Sequence, residues 1–274
     1  IAGGPHSTGD ALVLDDSGNT GVGGGSLTAG SVSGFGMTGR IDYIEIENMG
    51  VALGSGDNTI NIAATVAGIT TTVTGGAGND TFNVSSDPFS SAGTLDGIRG
   101  DLVLQGGGGV NAINLNDQGN TSGRTATITA NSIVGMTGDA GGSGIISFAA
   151  NDQFSGGINI LNGSGGDSLT VGDILPGTAM IVNGAGGNDV ITATETSPGQ
   201  SGLLGIVGGD GNDTINAAGW HSDMIVFGDS GLFIWLRQSG TLPRSLRVPA
   251  FALFDPLKSF DPDTVWNADP GFSW

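Results

Sequence analysis

A glycine-rich turn followed by a short strand pattern returns along this chain, and that repetition limits the available folds more than any other feature. The turns stand at Gly54-Ser-Gly-Asp-Asn-Thr-Ile-Asn-Ile62, Gly75-Gly-Ala-Gly-Asn-Asp-Thr-Phe-Asn-Val84 and Gly163-Ser-Gly-Gly-Asp-Ser-Leu-Thr-Val171. They recur at Gly184-Ala-Gly-Gly-Asn-Asp-Val-Ile191 and Gly208-Gly-Asp-Gly-Asn-Asp-Thr-Ile215. Asp57, Asp80, Asp167, Asp189 and Asp213 mark them, with spacings of 23, then 22 and 24. After each turn, β-branched or aromatic residues alternate with small polar ones, which is strand patterning. Ile69–Thr74 and Thr178–Asn183 supply the strand before a turn, and Thr81–Val84 the strand after one. A coil of this length predicts an all-β chain, a right-handed parallel β-helix or β-solenoid with a non-repetitive C-terminal tail. The alternative is a β-sandwich with glycine-rich hairpins, which the regular spacing disfavours.

A longer repeat contains the shorter one. Asp16-Ser-Gly-Asn-Thr20 returns as Asp117-Gln-Gly-Asn-Thr121, and Leu27-Thr-Ala-Gly-Ser-Val as Ile128-Thr-Ala-Asn-Ser-Ile, both at an offset of 101. Gly106-Gly-Gly-Gly109 matches Gly208-Gly-Asp-Gly211 at 102. The expected organisation is an N-terminal extension (1–11), repeat units over 12–115 and 113–219, a last coil (220–235) and a tail (236–274).

Composition places the last boundary. Residues 1–219 hold 50 of the 54 glycines, whereas all four tryptophans fall at or after Trp220. Asp255-Pro, Asp261-Pro and Asp269-Pro bias the tail away from helix. Phe251, Phe254, Phe260 and Trp266 suit a cap over the last coil or an interface with a neighbour; a tail with little order is the third option. The chain starts at Ile1 with neither a basic nor an apolar leader segment, and so reads as part of something longer.

The net charge of -19 argues against nucleic acid as a partner. The absence of cysteine removes disulfides and thiolate metal sites. No apolar run is long enough to span a membrane as a helix.

Gly75-Gly-Ala-Gly-Asn-Asp80 and Gly208-Gly-Asp-Gly-Asn-Asp213 resemble the G-G-x-G-x-D turns of the repeats-in-toxin family. The wider pattern resembles repeat regions of large bacterial secreted or surface adhesins of the haemolysin type. That resemblance implies calcium, with Asp80 and Asp213 as ligands and Asp189, Asp57 and Asp167 as further candidates at their glycine turns. Each motif here stands alone in a coil rather than repeating in tandem, so a complete site needs stacking of Asp57 over Asp80, or of Asp167, Asp189 and Asp213. The alternative is that these aspartates only bond to their own turn amides.

Catalysis on a β-helix needs paired carboxylates, or a base beside an arginine or lysine. The first 219 residues contain no lysine and three arginines: Arg40, Arg99 and Arg124. Glu45 and Glu47 share a face if Ile41–Glu47 is a strand, and with Tyr43 they form a candidate binding surface. His221 and Asp223 have no nucleophile signature beside them. Gly106–Gly109 lacks the lysine of a phosphate loop and reads as a coil corner. No catalytic residue is assigned. The expected function is a structural or adhesive extracellular or cell-surface module, calcium-stabilised and filament-forming. Its partners are further copies, neighbouring domains, or a glycan or surface ligand. The alternatives are a polysaccharide lyase or epimerase module and a glycan- or protein-binding module.

Overall fold

The β-branched residues alternate with small polar ones over four to six positions at a time, too short for helices and suited to strands buried on one face. The computed structural model describes residues 1–4, 9–138, 144–148, 154–197, 199, 201–228 and 235–237, and among these there is no helix. The tail aromatics Phe251, Phe254, Phe260 and Trp266, with His6, lie outside the described residues.

Two long, mostly parallel sheets of ten and eleven strands make up the fold. Strand β1 (Ala11–Asp15) belongs to the first sheet, while β2 (Gly23–Leu27), β3 (Ser31–Gly34) and β4 (Arg40–Asp42) form an antiparallel meander in the second. The chain then alternates. β5 (Asn48–Ala52), β7 (Thr70–Thr74) and β9 (Leu102–Gln105) join the first sheet, and β6 (Asn58–Ile62), β8 (Thr81–Val84) and β10 (Ala112–Asn116) the second. A second meander, β11 (Thr125–Ile128), β12 (Ser132–Val134) and β13 (Ile146–Phe148), lies in the first sheet. Alternation resumes with β14 (Gly157–Leu161), β16 (Ala179–Asn183), β18 (Leu203–Val207) and β20 (Met224–Phe227) in the second sheet. β15 (Ser168–Val171), β17 (Val190–Thr194) and β19 (Thr214–Gly219) extend the first. β21 (Trp235–Arg237) ends the second sheet antiparallel to β20.

β7 and β8, which flank the Gly75–Asp80 turn, lie in different sheets, so this turn is a corner and not a hairpin. Inward residues stack coil upon coil. Ile60, Phe82, Ile113, Ile158, Met180, Leu204 and Met224 form one in-register column, each at most 1% exposed. Burying each such side chain contributes roughly 1.5–3 kcal/mol. Phe154 meets Phe82 of one sheet and Phe148 of the other edge-on, at 5.9 and 6.1 Å between ring centroids. One core therefore runs without a break from Leu27 to Val226, through both sequence repeats.

Equivalent elements of the two long repeats lie in opposite sheets. Asn19 Nδ2 donates to Asp16 Oδ2 at 3.2 Å in the turn that leaves the first sheet. Asn120 Nδ2 donates to Asp117 Oδ2 at 3.1 Å in the equivalent turn, which leaves the second. The meander β2–β4 is likewise repeated as β11–β13 across the core. A repeat of about a hundred residues thus advances the chain by a half-integral number of coils, and every corner of the second copy falls on the other side.

Candidate functional site

The glycine turns form two corner stacks, because the chain turns twice in each coil. The turns at 54–58, 75–80 and 106–111 lead from the first sheet to the second. Those at 163–167, 184–189 and 208–213 lead from the second to the first. Coils approach so closely here that a methyl group on Gly78 would lie less than 3.0 Å from the Gly56 carbonyl oxygen. Gly76 and Gly107 hold the left-handed conformation, with φ of 107° and 81°, which glycine adopts without steric cost.

Within each stack the side chains at the end of the turn link coil to coil. Asp80 Oδ1 accepts the Asn58 backbone N–H at 2.9 Å, and Asn111 Oδ1 accepts that of Asp80 at 2.8 Å. On the opposite corner Asp167 Oδ1 accepts the Arg124 N–H, Asp189 that of Asp167 and Asp213 that of Asp189, at 2.7, 2.7 and 2.9 Å. One residue earlier a second ladder runs the other way: Asp57 Oδ1 accepts from Asn79 N–H and Asn79 Oδ1 from Val110 N–H, both at 2.8 Å. Asn188 Oδ1 and Asn212 N–H repeat this arrangement on the far corner at 2.9 Å.

This register corrects the expected stacking of Asp57 over Asp80. Thr59 pairs with Thr81, an offset of 22, so Asp57 stacks with Asn79 and Asp80 with Asn58. Asp57 is exposed, whereas Asp80, Asp167 and Asp189 are buried. Asp167, Asp189 and Asp213 do stack, but on the corner opposite Asp80. Among the described residues no three His, Asp or Glu side chains gather into a group able to hold a metal ion. The geometry makes these aspartates rungs that tie adjacent coils together.

The second carboxylate oxygen of Asp80, Asp167 and Asp189 is buried and has no hydrogen-bond partner. Burial pushes the Asp167 carboxyl up to about 6, with the charges of Asp189 and Asp117 adding to the rise, while the Arg124 N–H and the Arg124 charge oppose it. Asp189 is also pushed up to about 6, by burial and by the Asp213 charge, against the Asp167 N–H. Burial raises Asp80 as well, opposed by its bonds to Asn58 and helped by the Asp57 charge.

Arg124 begins the Asp167–Asp189–Asp213 ladder on the opposite corner, and its side chain is buried. Nε donates to Asp117 Oδ2 at 3.1 Å, Nη1 to the Gly138 carbonyl at 3.0 Å and Nη2 to Asp96. Asp117 Oδ1 accepts the Leu95 N–H at 2.8 Å, so this network pins the segment before β9 to the meander β11–β13. Arg40 instead forms an exposed pair with Asp42 at 2.8 Å on its own strand.

The strand expected over Ile41–Glu47 ends at Asp42. Tyr43 is 3% exposed and donates its hydroxyl to the Thr28 carbonyl at 2.5 Å, and burial pushes its phenol up to about 12. Glu45 sits at φ 55° and is exposed, while Glu47 Oε2 accepts the Asp10 N–H at 2.7 Å. Tyr43 is therefore a core residue, and the two glutamates share no strand face. Glu195 Oε1 accepts the Ser222 N–H at 2.8 Å; His221 Nδ1 lies 3.9 Å from Glu195 Oε2.

The asparagine and arginine rungs escaped the sequence reading. Aligning on the strand threonines, Thr59 with Thr81, instead of on the aspartates would have exposed Asn58 and Asn79. Arg124 carried no local signal, since its partners lie 7 and 28 residues away. No family model matches the chain, and neither a curated protein nor a solved structure is found similar to it.

Proposed function

We propose that the chain is a structural module, a right-handed parallel β-helix or β-solenoid that gives a large secreted or cell-surface protein reach and stiffness. The observation that carries this reading is the coil-to-coil register, in which successive strands of both sheets stack parallel and the corner side chains bond between coils. The right hand follows from the rule that about 98% of crossovers between parallel strands in one sheet are right-handed. The acidic surface suits salt-rich surroundings in which charge is screened. β1 and β19 end the first sheet, and neighbouring domains or further copies would continue the coil from these edges. Two placements favour a scaffold over a carbohydrate-active enzyme: Arg124 is bound inside the fold by Asp117 and Asp96, and Arg40 faces solvent beside Asp42.

Single-molecule pulling between the chain ends tests the mechanical role. A scaffold resists and then yields in steps of about one coil, as expected when each repeat contacts only its neighbours. Extension without resistance, or cleavage of acidic polysaccharide by the intact chain, would contradict it.

A further inference from the structure

We propose that Asp80, Asp167 and Asp189 work in the folded coil as neutral carboxylic acids, each in the place of an asparagine amide. The corner ladders then take up protons as the coil closes, and the coil is tightened by mildly acidic surroundings.

The first corner shows what its inner rung requires. Asn58, Asp80 and Asn111 occupy the same place in successive coils. Asn111 both accepts, through Oδ1 from the Asp80 N–H, and donates, through Nδ2 to the Gly108 carbonyl of its own turn at 3.0 Å. Asn58 Nδ2 donates in the same way to the Gly54 and Gly56 carbonyls at 3.1 and 2.6 Å. Asp80 performs the accepting half through Oδ1. Its Oδ2 lies where the amide nitrogen belongs: a methyl on Gly75 would touch Asp80 Oδ2 within 3.0 Å, as one on Gly106 would touch Asn111 Nδ2. The same relation holds between Gly184 and Asp189 Oδ2.

An ionised carboxylate has no hydrogen to donate there, and an unpartnered buried oxygen is costly. A protonated acid reproduces the amide. Asp80, Asp167 and Asp189 are at most 2% exposed, and each has its Oδ2 unpartnered. The charged groups that bear on them are Asp57 at Asp80; Asp189, Asp117 and Arg124 at Asp167; and Asp213 at Asp189. All but Arg124 are acidic and favour the neutral form.

The sign follows from linkage. The folded carboxyls titrate above the ordinary unfolded value of about 3.9, and those of Asp167 and Asp189 reach about 6. Their stabilisation is fully present below about pH 4 and is lost as pH rises through about 6.

The test is thermal melting of the full chain in EDTA between pH 4 and pH 8, comparing wild type with the triple variant Asp80→Asn, Asp167→Asn, Asp189→Asn. A control removes three exposed charges instead, by Asp15→Asn, Asp42→Asn and Asp223→Asn. The expected result is a wild-type melting temperature that falls as pH rises through 6, a flatter profile in the ladder variant with higher melting at pH 8, and a retained slope in the control. A ladder variant that melts below wild type at pH 8, or a control that flattens the slope equally, overturns the proposal. Should the ladder variant fail to fold, carboxyl carbon NMR on wild type decides. Asp167 and Asp189 midpoints above pH 5, with that of Asp80 raised above the ordinary carboxyl value, support the proposal, and three midpoints within the ordinary carboxyl range overturn it.

Discussion

Ala185 and Gly209 occupy the same corner place one coil apart, and both hold left-handed backbone, with φ of 68° and 106°. A methyl on Gly209 would press on the Ala185 carbonyl at under 3.0 Å. Alanine carries a Cβ in a conformation that costs roughly 1–2 kcal/mol for a non-glycine residue. The turn is held there by its stacking and by the Asn183 side chain, which accepts the Ala185 N–H at 2.9 Å.

Ala185→Gly therefore relieves strain. Net stabilisation of about 1 kcal/mol is expected, because the added freedom of glycine in the unfolded chain offsets part of the gain. Urea denaturation measures it, and a loss of stability would show that the corner does not impose this backbone.

Gly78→Ala acts in the opposite direction. Its methyl meets backbone on the neighbouring coil, which no rotamer change relieves, and the coils must separate. A loss of roughly 1–3 kcal/mol is expected, as for other overpacked sites. Gly18→Ala has nothing within 4 Å of the added carbon and should change stability by no more than about 0.5 kcal/mol. Equal effects in the two variants would mean that the corners do not stack this tightly.

Arg124→Met removes the cation from its network with Asp117 and Asp96, and Asp117 is fully buried. Removing one partner of a buried pair costs about 3–5 kcal/mol. Adding Asp117→Asn removes the stranded charge and should restore part of the loss, which a double-mutant cycle in urea measures. Additive losses would show that the two groups do not interact.

The parts of this fold that were legible in the sequence are those set by neighbours in the chain. Gly54–Asp57 and Gly75–Asp80 announce corners, and Thr59–Ile62 and Thr81–Val84 announce strands, because turn chemistry and alternation are local. Register was not local. Asp57-Asn58 and Asn79-Asp80 carry the same two residue types in reversed order, so matching aspartate to aspartate shifts the stack by one residue and exchanges its inner and outer rungs. The long repeat was visible too, but not that it advances by a half-integral number of coils, since that depends on how many strands the meanders β2–β4 and β11–β13 place in one sheet. Tyr43 looked like a surface residue because its segment alternates like a strand. It is drawn inward by the Thr28 carbonyl, fifteen residues away.

Adjacent coils stack parallel with an offset of 22 between Thr59 and Thr81. The chain has no cysteine, so Thr59→Cys with Thr81→Cys introduces a single pair at neighbouring positions of parallel strands, about 4.8 Å apart. That separation is within the reach of a disulfide. Mild oxidation followed by peptide mapping should give the intrachain disulfide in nearly all molecules, with Ser168→Cys and Val190→Cys behaving likewise on the opposite corner. Failure of both pairs to close, with closure instead of a pair across the Gly75–Asp80 turn such as Thr74→Cys with Thr81→Cys, would contradict the parallel coil and establish a hairpin in its place.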